Sequence, residues 1–210
     1  MSRGPPVTSL GELLRREPSV QSFQRQRSPT LDRKISAASR NEDWVAISTA
    51  VITLFHRKKL ENFELYSLTE KVKSAKSDIG QDMICILYKE SILMKGMIIL
   101  REDVKEKSGE TLLDKLADIW THFFGEVLPL LQAVFHHLTP PDGQSLRDIA
   151  LISFRDIVLL KTKLQEVFEG DTAVHVPPRM IQMLLILQVC IVYLNYYLKC
   201  RIHLFNAQEY

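Results

Sequence analysis

The sequence predicts an all-α domain, an antiparallel bundle of about six helices behind a disordered N-terminal tail. Three observations predict it. The stretch at 112–138, LLDKLADIWTHFFGEVLPLLQAVFHHL, repeats apolar residues at helical spacing. No segment of the chain sustains the apolar–polar alternation of a strand. The links between apolar stretches run to about four to eight residues, a length that joins antiparallel neighbours.

Residues 1–40 carry eight Lys/Arg against three Asp/Glu, a net of +5, whereas the remainder carries 19 against 22, a net of −3. The first forty residues are rich in Ser, Pro, Arg and Gln and too poor in bulky apolar side chains to build a core, so they are expected to be disordered. Leu10, Leu13 and Leu14 could form one turn of a partner-docking helix, although a short floppy segment is the plainer reading. Ser28 and Ser36 stand beside cationic residues in RQRSP and RKIS. Basophilic or proline-directed kinases use such sites, and phosphate there would cut the local positive charge. A basic tail on a slightly acidic body is not the footprint of a nucleic-acid-binding domain.

Order is expected from about residue 41 to residue 188. Ser39 and Glu42 have capping-box spacing, with Asn41 as the rival cap. Trp44, Ile47, Val51, Leu54 and Phe55 then make a helical stripe, and Arg57, Lys58 and Lys59 at its end suit the helix dipole. Leu65, Leu68, Val72 and Ala75 predict a second helix. Gly80 separates it from a long third one with Met83, Leu87, Met94, Met97, Ile98 and Val104 inward.

The central helix follows, with Ser108 as its expected cap and Leu113, Leu116, Trp120, Phe123, Val127, Leu130 and Val134 as its core stripe. Asp114, Lys115, Asp118, His122, Glu126 and Gln132 fall on its polar face. Pro129 lacks an N–H and its ring collides with the carbonyl of Gly125, which predicts a kink rather than a stop. The TPPDG run at 139–143 reads as a loop. Ser145 and Asp148 then open a helix with Leu146, Ala150, Ile157, Leu160, Leu164 and Val167 along one side, ended by Gly170. Pro177 and Pro178 precede a final apolar helix. From Met180 to Leu198 lie 19 residues without a charge. That is long enough for a tail anchor in a membrane, but Gln182, Gln188 and Asn195 favour a buried bundle helix.

Motifs for catalysis are absent: no Walker loop, no GxGxxG, no GxSxG and no HExxH. His122 and Glu126, four apart on one helical face, are half of a metal site and ground an alternative reading as a helical-bundle metalloenzyme. A site needs a third and usually a fourth ligand, and the nearby Asp118 reads more simply as solvated charge. His136 and His137 point about 100° apart on a helix. Cys85 reads as a small core residue. The three cysteines form no disulfide framework, and MSRGPPVTSL is no secretory signal, so a reducing, cytoplasmic setting is expected. No cofactor, metal or small-molecule substrate is expected, and the chain reads as a non-enzyme.

Several long words in register resemble one known family. They are VITLFHRKKLENFELYSLTEKV at 51–72, LMKGMIILREDV at 93–104, LLDKLADIWTHFFGEVLPLLQAVF at 112–135, LRDIALISFRDIVLLKTKL at 146–164 and VPPRMIQMLLILQ at 176–188. The family is Protor, the proline-rich protein 5 and proline-rich protein 5-like group, with an HbrB-like domain. The resemblance implies a non-catalytic subunit of TOR complex 2 that binds Rictor and supports signalling to AGC kinases such as Akt and protein kinase C. Lys95, Arg101 and Glu102, on the side of a helix expected to be exposed, are the expected docking residues. Family proteins continue past the position of Gln188 with more of the domain. Residues 189–210 are therefore expected to be a non-family extension, an intron read-through at Gln188-Val189 or an alternative isoform end; genomic sequence coding without a junction there would overturn this.

Overall fold

The computed structural model describes residues 28–60, 62–141, 143–168 and 175–187. All the regular structure among them is helical. Leu10, Leu13 and Leu14, Gly170 and residues 189–210, for which the sequence carries expectations, lie outside these residues, as does 188–198 of the uncharged run.

The first helix, α1, runs Pro29–Ala38 and falls inside the stretch expected to be tail. Ser28 caps it, accepting from the Leu31 amide, and Pro29 at its first turn sacrifices no helix hydrogen bond. Ala38 is buried and Ile35 packs on the core, so two apolar contacts hold a segment whose composition alone would leave it unfolded. Helix α2, Glu42–Phe55, is capped by Asn41 rather than Ser39: Asn41 Oδ1 accepts from the Trp44 amide at 3.0 Å. The Ser39 hydroxyl instead donates to the Ser36 carbonyl. Trp44, Ile47, Val51, Leu54 and Phe55 are all buried. Helix α3, Asn62–Ile79, buries Leu68, Val72 and Ala75 against α2.

Gly80 turns the chain with φ +85°, a conformation that L side chains resist, and α4 (Gln81–Leu87) follows at once. The third helix is long, as expected, but not uniform. Residues Tyr88–Leu93 form a π-helical turn before α5, Met94–Glu102. A π-turn inserts one extra residue into the ladder and shifts the buried face. Ile84, Leu87, Tyr88, Ile92, Leu93, Met97, Leu100 and Val104 face the core as a result, Met83 and Met94 are only half-buried, and Ile98 is exposed. Gly96 is pressed against the Phe55 ring of α2, which fills the space a Cβ would need.

The central helix has the same construction. It consists of α6 (Gly109–His122), a second π-turn (Phe123–Val127) and α7 (Leu128–Val134). Ser108 occupies the cap position, but its side chain makes no capping bond. Leu113, Leu116, Trp120, Phe123, Val127 and Val134 are fully buried. Leu130 is half-buried, and Leu128 and Leu131 take the inward positions. The extra residue of the π-turn accounts for that phase shift, and the irregularity expected at Pro129 takes this form. Pro129 itself is the second residue of α7, directly after the π-turn.

Helix α8, Leu146–Ile157, is capped by Ser145, whose Oγ accepts from the Asp148 amide at 3.0 Å. The single helix expected over 146–167 is broken. A 3-10 turn at Leu159–Lys161 separates α8 from the short α9, Leu164–Phe168. Leu160 consequently points outward, while Phe154, Val158 and Leu159 are buried. The last helix, α10, is Pro178–Ile186 and packs along α6. Trp120 Nε1 donates to Gln182 Oε1 across that contact at 3.3 Å. No helix among the described residues is long and apolar enough to cross a membrane.

Two aromatic clusters mark the core. Trp120 stacks on Phe124 with centroids 4.7 Å apart and meets Phe154 edge-on, and Phe154 stacks on Phe123 at 4.8 Å. On the other side, Phe135 contacts Trp44 at 6.4 Å and Tyr88 at 5.0 Å. Such offset and edge-on pairs add to what burial alone contributes.

Candidate functional site

His122 belongs to the polar face by its spacing, yet it is 5% exposed. The reason is a specific pairing. Its Nε2 donates to the Leu54 carbonyl at 2.9 Å, and its Nδ1 lies 3.1 Å from Glu126 Oε2. Leu54 is in the last turn of α2, where its carbonyl accepts from the Arg57 amide at 2.9 Å and has a second lone pair for the ring. His122 therefore closes the end of α2 from the central helix. Ligation of a metal requires a ring lone pair, and the Nε2 position is committed to the carbonyl. Among the described residues, no group of three or more His, Cys, Asp or Glu comes together.

Around this pair lies an open groove of about 440 Å³. Leu54 and Leu60 line it from one side, and Val127, Pro129 and Leu130 from the other. Lys58 and Lys59 stand at its rim, exposed, and Gly125 leaves its floor open, with nothing within 4 Å of where a Cβ would sit. The second π-turn shapes the groove. Leu128 N–H reaches back five residues to the Phe123 carbonyl. Pro129 then offers no N–H to the carbonyls of Gly125 and Phe124, four and five residues behind it.

The rim is held by an ion network. Arg57 adopts φ +61°, in the left-handed region, and turns the chain at the end of α2. Its guanidinium binds Asp118 at 2.8 Å, and Lys115 reaches the same carboxylate at 3.1 Å and Asp103 at 3.9 Å. Partial burial works to raise the Asp118 carboxyl, but the hydrogen bonds from Lys115 and Arg57 outweigh it and hold the group below the usual carboxylate range. Arg57 and Asp118 thus tie the segment carrying Lys58 and Lys59 to the central helix.

The expected docking residues lie on α5. Lys95 and Glu102 are exposed, with Ile98 between them on the same side. Arg101 is half-buried and within 3.8 Å of Glu102, which also pairs with Lys105 at 3.4 Å. This face and the groove therefore differ: one is a lightly charged helix side, the other a recess with an apolar floor. Of the two expected phosphosites, Ser28 caps α1 and Ser36 lies on its exposed side.

The remaining polar burial is structural. Ser153 Oγ donates to the Ile149 carbonyl one turn back, and Tyr88 Oη donates to the Leu146 carbonyl at 3.3 Å. Burial pushes the Tyr88 phenol up, so it remains a donor. Cys85 is a buried core residue. Sequence reasoning missed the buried His122, because helical phase alone sends it outward, and missed the groove, because a π-turn has no distinct residue signature. The pairing of Gly125 with Pro129 flagged the place but not its form.

A family model described as HbrB-like matches residues 38–140. Proline-rich protein 5 of Xenopus laevis is 42% identical over 154 residues, covering 72% of this chain and 37% of the relative. The Homo sapiens protein of the same name is 39% identical over 183 residues, covering 86% and 44%. Proline-rich protein 5-like of Bos taurus is 38% identical over 187 residues, covering 81% and 50%. The chain spans half the length or less of these curated relatives. No solved structure matches it.

Proposed function

The chain belongs to the HbrB-like family of proline-rich protein 5 and proline-rich protein 5-like proteins, and on that premise we propose that it is a non-catalytic accessory subunit of TOR complex 2. Its work is to bind Rictor and to support signalling by the complex to AGC kinases such as Akt and protein kinase C, in the cytoplasm. The observation that carries this reading is the identity of about two fifths across most of the chain. The organisation of the domain agrees with it. The buried polar side chains His122, Ser153 and Tyr88 are spent on helix carbonyls, which leaves surface recognition as the chemistry on offer.

Lys95, Arg101 and Glu102 are the proposed contact with Rictor. Lys95 is the most telling of the three, because it is exposed and in no ion pair among the described residues. Interfaces of this kind take their energy from a few anchors inside a polar rim, and Ile98 supplies an apolar anchor between the charges. The test is recovery of purified Rictor on the immobilised chain. The wild type is expected to retain it, and Lys95→Glu and Arg101→Glu to lower recovery about tenfold with unchanged helical circular dichroism. A wild-type chain that retains no Rictor overturns the assignment; full retention by both variants overturns the choice of face.

A further inference from the structure

We infer that the groove at the second π-turn is a docking site for an extended acidic–apolar segment of a partner protein, in which large apolar side chains fill the recess and flanking carboxylates meet Lys58 and Lys59. The inference rests on the subunit reading for the identity of the partner and deepens it by naming the chemistry of the segment recognised.

Charge decides the occupant. Lys58 and Lys59 are exposed and in no ion pair among the described residues, although Arg57 beside them is paired with Asp118. Glu126 also lines the groove, with its carboxylate turned to His122 Nδ1 at 3.1 Å, so the two lysines outnumber the one carboxylate there. The recess thus carries two exposed ammonium groups, in no ion pair among the described residues, over a floor of Leu54, Leu60, Val127, Pro129 and Leu130. An acidic segment gains Coulomb attraction there, and a basic one is repelled.

The backbone adds a second kind of recognition. Pro129 removes a donor from the carbonyls at Phe124 and Gly125, and the Gly125 position is open to solvent. An incoming main-chain N–H can bond a helix carbonyl at that point, where a regular helix would have none to offer. Rigidity favours the same use. The Arg57–Asp118 pair and the His122–Leu54 bond fix both walls before any partner arrives, which lowers the ordering cost of binding.

The experiment uses the full chain and a displayed library of 12-residue peptides randomised at every position. The enriched pool is measured by fluorescence polarisation against the wild type, Lys58→Glu/Lys59→Glu, the milder Lys58→Gln/Lys59→Gln and a control, Lys163→Glu. Enrichment of acidic residues beside Leu, Ile or Phe is expected, with affinity falling tenfold or more in the charge-reversed protein and about threefold in the neutral one. The control is expected to bind as the wild type does. A pool without acidic residues, or one that binds all four proteins alike, overturns the inference. Rictor recovery separates the two proposals. Undiminished recovery on Lys58→Glu/Lys59→Glu refutes the groove as its site and leaves the subunit reading intact. No recovery even on the wild type refutes the subunit reading, and the peptide titration still decides the groove.

Discussion

The two π-turns, Tyr88–Leu93 and Phe123–Val127, are the same backbone device in opposite settings. Each sits beside a polar ring that reaches a carbonyl on another helix: Tyr88 bonds Leu146, and His122 bonds Leu54. At the first turn, Tyr88, Ile92 and Leu93 are fully buried, with α8 and α2 packed against it and Lys89 facing solvent. At the second, Gly125, Glu126 and Pro129 are exposed and the bulge borders a groove. The inserted residue in one case fills space and in the other opens it. What differs is the residues in and after the turn. A glycine and a proline leave little side chain to cover the second bulge, whereas isoleucine and leucine seal the first.

If that contrast is right, breaking the sealed turn costs stability and breaking the open one costs recognition. Tyr88→Ala removes the edge-on contact with Phe135 and a buried aromatic side chain, and is expected to lower unfolding free energy by about 3–5 kcal/mol in urea denaturation. Gly96→Ala forces a methyl into the Phe55 ring just beyond the first turn and is expected to lower it by about 1–3 kcal/mol in the same assay. At the second turn, His122→Ala removes a buried ring and one of the two donors to the Leu54 carbonyl, with an expected loss of about 1–3 kcal/mol. Pro129→Ala is expected to change stability by no more than about 1 kcal/mol, because the carbonyls that its missing N–H leaves free lie beside the exposed Gly125, where solvent serves them. Its effect should appear instead as weaker capture of the acidic–apolar peptide pool.

The smallest effect concerns pH. Asp118 has a folded pKa held below the ordinary 3.8. Its contribution is therefore present above that value and is lost as pH falls through the lowered folded pKa. The stability difference between wild type and Asp118→Asn should shrink below pH 3.8 and stay constant above it. Because both partners of the Arg57 pair are nearly half exposed, that difference should be under about 1 kcal/mol.

How far the sequence carried these conclusions follows from the same physics. Regular α-helical spacing is local, so the all-α class, the stripe from Trp44 to Phe55 and the cap at Ser145 were legible from neighbouring residues, whereas at α2 the rival cap Asn41 took the place of Ser39. A π-turn is decided by tertiary packing, so the phase of Ile98 and Leu130 was not legible, and His122 is buried by a pairing with the end of α2 that its spacing does not show. The tail boundary failed for a related reason. The Pro29–Ala38 helix is held by contacts of Ala38 and Ile35 with the distant core, which composition cannot register. Similarly, Val158 and Leu159 are buried across a break that helical spacing ran straight through. The groove required two elements to meet, α2's end and the central helix, and only their fold brings them together.

The proposed role of this helical domain is that of a passive platform within a kinase assembly. Its most direct test is affinity purification of the full chain from cells followed by quantitative mass spectrometry. The account predicts TOR and Rictor in near-stoichiometric amounts with the bait; their absence, with other proteins recovered in stoichiometric amounts instead, would contradict it.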